Sequence, residues 1–262
     1  MAHSAASLTL SPTKVDVFFG CRRLFRYRFI APPFTPPENR YFLIGNVAHR
    51  ALETLHKEHL VTPISNWKKA MGQHFRDAAK SHNVDKKIAT GVITKSDLFS
   101  IKDMMRKYLV HLDGLDAIPK VHKVEALKKI NIGGVVVWLK ADRIDMIKDH
   151  MYRVVDYKSG RPANRKDEQA SVQIPSYGIL VRQLIDKAAA IEGSYVYLKF
   201  LDTKNGVHNY KITDEWMDQA TEQYVKVDKA LKNGCDFKQN FKYKYCFTCD
   251  FKRHCLNDKD ND

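Results

Sequence analysis

Apolar residues recur in residues 45–59, GNVAHRALETLHKEH, at Val47, Ala48, Ala51, Leu52 and Leu55. Steps of three and four place them on one stripe, so the segment predicts an amphipathic helix, opened by Gly45. Similar stepping near 66–82 and 95–113 predicts two further helices, separated by a polar link containing glycine. Upstream, Ser11 precedes Pro12 in the order of a helix start, and Gly20 closes that helix before Cys21. The basic and aromatic stretch RRLFRYRF follows, ending at APPFTPP, which cannot continue a helix. From about residue 121 the pattern turns to β: VHKVEALKKI, VVVWLKADRIDMI and MYRVVDYKSG read as strands. A helix over about 168–187, a strand at SYVYLKF and a long helix from Asp214 to about Leu231 complete an α/β chain.

The middle strands carry the first candidate chemistry. If residues 140–158 form a hairpin turning about Asp149, with Lys148-Asp149-His150 as its turn, then Asp142 faces Asp156. The same register sets Asp145 opposite Arg153 and Ile144 opposite Val154, both favourable cross-strand pairs, and Lys140 opposite Lys158, an unfavourable one. The two carboxylates would then stand with Cβ atoms about 5 Å apart. Their repulsion raises a pKa unless something cationic lies between them. Hard oxygen ligands of this kind suit Mg²⁺ or Mn²⁺. Period-two geometry puts Lys158 on the face of Asp156, with Tyr157 on the other.

Composition narrows the partner. The 262 residues carry a formal net charge of +14, which makes a polyanion, with nucleic acid foremost, the natural partner. No apolar run reaches the roughly 20 residues needed to span a bilayer, so no membrane association is expected. The start, MAHSAASLTLSP, lacks the basic and apolar regions of a secretory signal, which points to the cytoplasm and to reduced cysteines. The tail NDKDND is expected to fray.

Five stretches in order, GNVAHRALE, Glu125, ADRID, VVDYKSG and QIPSY, resemble the RecB-type branch of the PD-(D/E)xK nuclease superfamily over nearly the whole chain. The resemblance implies a restriction-endonuclease-like core, with a mixed central sheet flanked by helices. It implies one nuclease domain over 1–262 with a helical insertion at about 60–118. Carried over by position, His49 resembles the metal-binding histidine, Asp142 and Asp156 the acidic ligands, and Lys158 the catalytic lysine. The backbone carbonyl of Tyr157 is a further candidate ligand. Gln173 and Tyr177, four apart on one helical face, resemble the family's Q-x3-Y motif beside the site, with Pro175 between them. Asp156 stands where many relatives have Glu. Glu125 resembles an acidic residue on the strand before the hairpin. His56 and His59 have no motif support and are read as surface residues.

Cys246, Cys249 and Cys255 form C-x2-C-x5-C, with Cys21 far upstream and Cys235 to spare. In a reduced compartment this spacing suggests a metal site whose fourth ligand comes from afar, with Cys21 the candidate. The split resembles the iron-sulfur staple of AddB-type nucleases and of RecB-like nucleases associated with CRISPR systems, where four thiolates hold a [4Fe-4S] cluster. The C-terminal segment at about 235–256 would then pack with the N-terminal segment around Cys21. Zinc on the same thiolates, or four unrelated thiols, remain open alternatives.

The resemblance therefore implies a Mg²⁺- or Mn²⁺-dependent deoxyribonuclease. Relatives suggest an exonuclease on single-stranded DNA or DNA ends, often 5′ to 3′. Arg22, Arg23, Arg26 and Arg28, with Lys242, Lys244, Lys252 and Arg253, are candidates to track phosphates; Tyr27, Tyr243 and Tyr245 are candidates to stack on bases. No Walker A motif is present, so unwinding would need a helicase, and CRISPR-adaptation proteins are the other partners implied. The alternatives are a non-catalytic DNA-binding subunit that keeps the nuclease fold, and a zinc-bearing adaptor.

Overall fold

The computed structural model describes residues 8–115, 118–244 and 246–257, leaving Tyr245 and most of the polar tail outside the description. Ser11 accepts from the Lys14 backbone N–H (3.4 Å) at the start of α1 (Pro12–Gly20), and α2 (Arg22–Phe29) follows directly. Next comes α3 (Arg40–Val61), whose N-cap is Asn39, accepting from Tyr41 N–H at 2.9 Å. The expected start at Gly45 is therefore corrected, because Gly45 lies inside the helix. A Cβ at that position would come 3.0 Å from Ser159 Oγ, so glycine there serves close approach to the end of a strand and not helix initiation. The expected helices at 66–82 and 95–113 appear as α4 (Trp67–Ser81) and α6 (Lys95–Asp113), the latter opened by a Thr94/Asp97 capping box. The polar link between them holds the short α5 (Val84–Ala89).

Among the described residues, five strands form one sheet in chain order: β1 (Lys120–Ile132), β2 (Val135–Lys148), β3 (Met151–Lys158), β4 (Ala190–Tyr197) and β5 (Val207–Ile212). Among these five strands the β3–β4 pairing is parallel and the others antiparallel, so the sheet is mixed, as expected. That parallel step requires a crossover. It is made by α7 (Arg165–Ala170) and α8 (Gln173–Leu184), not by one helix over 168–187. The division falls at Ser171-Val172, where the Asp16 carboxylate accepts from Ser171 Oγ (2.6 Å) and Val172 N–H (3.1 Å). The Val172 backbone donor at the start of α8 is thus satisfied from α1, a contact no local pattern encodes. A 3₁₀ turn (Leu198–Phe200) shortens the expected strand SYVYLKF, and α9 (Asp214–Lys232) follows β5.

The β2–β3 register agrees with the expected one: Ile144 pairs with Val154 and Asp145 with Arg153. The turn differs. Lys148 pairs with Met151 after a register shift, which leaves Asp149 and His150 as a two-residue turn with His150 at φ 59°.

Two apolar clusters sandwich this sheet. One contains Ile144, Val154, Ile174, Leu180 and Tyr224 beneath α8 and α9. The other contains Leu52, Leu55, Met104, Val155 and Tyr157 beneath α3 and α6. Alternation along β3 sends Val154 to the first and Val155 to the second, as period-two geometry demands.

The chain's ends meet. Arg23 Nε donates to the Phe237 carbonyl (2.9 Å), Asn240 Nδ2 donates to that of Gly20 (2.9 Å), and Tyr27 packs on Phe251 with ring centroids 5.5 Å apart. Arg23 and Tyr27 are buried in this junction. Their expected roles toward phosphate and base are corrected, because a side chain packed inside the fold cannot face a bound strand. No described helix is long and apolar enough to cross a membrane.

Candidate functional site

A cleft of about 570 Å³ opens between α3 and α8 over the middle of β2 and the C-terminal end of β3, and His49, Glu125, Asp142, Asp156, Lys158 and Gln173 all line it. The helix stripe that buries Val47, Ala48, Ala51 and Leu52 leaves His49 at its margin, with a third of its side chain exposed. From there Nδ1 lies 3.3 Å from Asp142 Oδ2. That same oxygen accepts the Tyr157 backbone N–H at 2.9 Å, a cross-strand bond that fixes Asp142 beside β3.

Asp156 is tied to α8. Its Oδ1 accepts from Tyr177 Oη (2.9 Å) and Gln173 Nε2 (3.2 Å), while Gln173 Nε2 also reaches Tyr177 Oη (2.9 Å). One helical turn separates Gln173 from Tyr177, so both reach the same carboxylate, and Pro175 sits in the first turn without disturbing this. Lys158 Nζ is 2.5 Å from Asp156 Oδ2, donates to Gln173 Oε1 at 2.9 Å, and lies 4.9 Å above the Tyr195 ring. Lys140 does not meet Lys158 as its partner. It ion-pairs with Glu125, so the expected like-charge clash is relieved by a carboxylate for each lysine.

Electrostatics separate the two carboxylates. Burial would raise Asp142, but His49, the Tyr157 N–H and Lys158 outweigh it and hold this carboxyl below the usual range. For Asp156 burial prevails: together with the Asp142 charge it pushes the carboxyl up against the pull of Lys158. His49 is raised, because Asp142 and Asp156 outweigh the cost of burying its charged form.

One imidazole and two carboxylates are a donor set that suits a hard divalent ion. Asp156 Oδ2 is buried, and despite the nearby ammonium it accepts no well-aligned hydrogen bond, which leaves a lone pair for a further partner. The set is not a closed chelate: among the described residues, no three His, Cys, Asp or Glu side chains are gathered so as to hold an ion. His49 with Asp142 and Asp156 with Lys158 form two neighbouring pairs instead.

Cys21, Cys246, Cys249 and Cys255 line one small pocket at the junction of the chain's ends, all as free thiols. Burial raises Cys249 and Cys255, and the charge of Cys21 adds to both shifts. The four line one pocket, yet among the described residues they are not gathered into a group that could hold a metal ion.

The sequence reading missed what lies under the hairpin's other face. His56, expected at the surface, is 1% exposed. Its Nε2 lies 2.8 Å from Arg143 Nη1 and 2.6 Å from Tyr108 Oη. Arg143 also donates to the hydroxyls of Tyr108 (2.5 Å) and Tyr157 (2.6 Å) and pairs with Asp145 at 2.8 Å. The available signal was spacing: His56 stands four residues after Leu52, on the apolar stripe itself. His59 is half-buried against Trp67, with ring centroids 4.7 Å apart. Tyr195, under Lys158, gave no signal beyond its place in a strand.

The sequence matches the PD-(D/E)XK nuclease superfamily over residues 9–256. A solved structure from Eubacterium rectale, described as a "putative exonuclease", superposes with a TM-score of 0.50 over 94% of this chain and 87% of its own, at 11% identity, a likeness of fold. A second solved structure, SSO0001, aligns over 82% of this chain and 84% of its own at 14% identity, with a TM-score of 0.34. No curated protein matches the chain. With a match that spans nearly its full length and a mixed sheet that carries the acidic hairpin, this chain belongs to the PD-(D/E)xK nuclease superfamily.

Proposed function

We propose that this protein is a divalent-metal-dependent deoxyribonuclease, acting as an exonuclease on single-stranded DNA or free DNA ends, with 5′ to 3′ polarity. The observation that carries the reading is the meeting of Asp142 with His49 and of Asp156 with Lys158 in one cleft, on facing strands. His49, Asp142, Asp156 and the Tyr157 carbonyl would hold Mg²⁺ or Mn²⁺. When bound, such an ion polarises a scissile phosphate and lowers the pKa of a water.

The chain's own residues supply the remainder. Gln173 and Tyr177 hold Asp156 by one oxygen, which leaves the other to Lys158. Lys158, positioned by Asp156, Gln173 and the Tyr195 face, can orient a water or offset charge gathering on the phosphate. The structural neighbour's description as an exonuclease favours action at DNA ends. The net charge of +14 favours a polyanionic substrate. Retention of His49, both aspartates and Lys158 together disfavours a non-catalytic DNA-binding subunit.

In the same reading, Cys21, Cys246, Cys249 and Cys255 would hold a [4Fe-4S] cluster that staples the N- and C-terminal segments in one nuclease domain, as the resemblance of their spacing to CRISPR-associated nucleases implies. Their shared pocket supports this. Protein purified without oxygen should be brown and carry about four irons per chain. Colourless protein with stoichiometric zinc would replace the cluster by a zinc staple.

The deciding experiment is degradation of end-labelled single-stranded DNA with Mn²⁺. We expect shortening from the 5′ end, abolition by EDTA, and a loss of about 10²–10⁴-fold in Lys158→Ala. Unchanged degradation by Lys158→Ala would remove the catalytic assignment.

A further inference from the structure

Alternation along β2 puts Val136, Trp138, Lys140 and Asp142 on one face, while Val135, Val137, Leu139 and Ala141 point into the core. Lys140 and Asp142 line the acidic cleft. Beyond them the same face stays in solvent: Trp138 is 44% exposed, Val136 44% and, on β1, Leu127 53%. Lys129 stands directly across from Trp138, and Leu127 across from Lys140. Resting on the nuclease reading above, we propose that this face of the β1–β2 hairpin is a platform for the single-stranded DNA substrate, with Trp138 stacking on a base and Lys129 meeting a backbone phosphate.

Position singles out Trp138. Phe99 and Phe247 are more exposed, but neither lies on a strand that carries a cleft carboxylate. Four residues of strand separate Trp138 from Asp142, about 13 Å. That is the length of about four stacked nucleotides at about 3.4 Å each, so a strand with one phosphate at the acidic pair can lay a base on the indole. The backing is firm: the Trp138 N–H donates to the Leu10 carbonyl at 2.8 Å, and Val137 and Leu139 are fully buried beneath. Among the described residues no ring or cation is stacked on the indole.

Charge selects the occupant. From Ala126 to Ala141 the chain carries Lys128, Lys129 and Lys140 and no Asp or Glu. Lys140 is paired with Glu125 and Lys128 donates to the Gln183 carbonyl, whereas Lys129 has no ion-pair partner among the described residues. An exposed apolar group with a basic edge suits bases and phosphates together. It opposes a second copy of this chain, which would bring another +14 charge against the same lysines.

The test is binding of a short fluorescein-labelled oligothymidine, read by anisotropy in EDTA, where no strand is cut. Trp138→Ala should weaken binding at least about fivefold without altering its salt dependence, and Trp138→Phe should recover most of the loss. Lys129→Gln should reduce the slope of log K against log salt by about 0.7, the share of one phosphate on a single strand. If Trp138→Ala fails to fold, Lys129→Gln decides. Equal binding by Trp138→Ala, or an unaltered salt slope in Lys129→Gln, would overturn the platform. So would sedimentation showing that the unaltered protein pairs through this face and that Trp138→Ala is monomeric. Cutting with Mn²⁺ is scored separately. Degradation by Trp138→Ala with unchanged KM rejects the platform and leaves the nuclease reading standing. Weakened binding by Trp138→Ala, when the unaltered protein cuts nothing, rejects that reading and leaves the platform.

Discussion

The two faces of the β2–β3 hairpin carry two charge clusters of opposite design. Asp142, Asp156 and Lys158 look into an open cleft, whereas Arg143, Asp145 and Tyr157, an odd number of residues from their cleft neighbours on the same strand, are sealed beneath α3 and α6. In the sealed cluster every strong charge is answered from within: Arg143 meets Asp145, two tyrosine hydroxyls and His56. In the cleft the compensation is incomplete. Asp156 stays pushed up by burial and by Asp142, and it borders an open cavity. A charge cluster enclosed beneath packed helices holds strands in place; one that borders an open cleft is within reach of a ligand.

The largest expected effect breaks the sealed side. Arg143→Met leaves Asp145 buried without its partner and should cost about 3–5 kcal/mol in denaturant unfolding, most of it restored by adding Asp145→Leu. Failure of the double variant to recover would mean that the cluster is not a self-contained ion pair. On the open side, Asp156→Asn should lower kcat/KM by about 10²-fold or more while the Tm holds or rises, because a strained buried carboxylate has been neutralised. A large fall in Tm would give Asp156 the structural role reserved here for Arg143.

Acid should act on the sealed side through His56. Burial and then the Arg143 charge push this imidazole well below its usual value. Below pH of about 6.5 the unfolded chain therefore takes up a proton that the folded one refuses, and stability falls, by at most about 1.4 kcal/mol per pH unit. His111, lowered by the same two causes, adds to the slope. His56→Gln should flatten a plot of Tm against pH between 7 and 5; an unaltered slope would deny the buried neutral imidazole. The smallest effect is Tyr157→Phe, which removes one acceptor from Arg143 and should cost about 1 kcal/mol with little change in KM.

Part of this was legible in the chain. The β-branched runs and the Asp145–Arg153 and Ile144–Val154 pairs specified the hairpin register, since a slip by one residue would exchange the two faces. Gln173 and Tyr177 were legible as a pair because helical spacing puts them together. His56 was misread because a histidine, even on an apolar stripe, looks the same in sequence whether it meets water or a buried arginine. Gly45 was misread as a helix start because the reason for a glycine there, Ser159, is more than a hundred residues away. The strand β5 was not anticipated, and the break between α7 and α8 depends on Asp16 from the opposite end of the chain.

The sequence by itself determined the elements and the alternation that sorts Asp142 from Arg143 and Asp156 from Tyr157, because those follow from backbone period alone. Only the tertiary structure decided which charges are satisfied. His56 and Arg143 are 87 residues apart, Asp16 and Val172 are 156 apart, and the strength of such contacts depends on burial and geometry that exist only once the chain has closed around them.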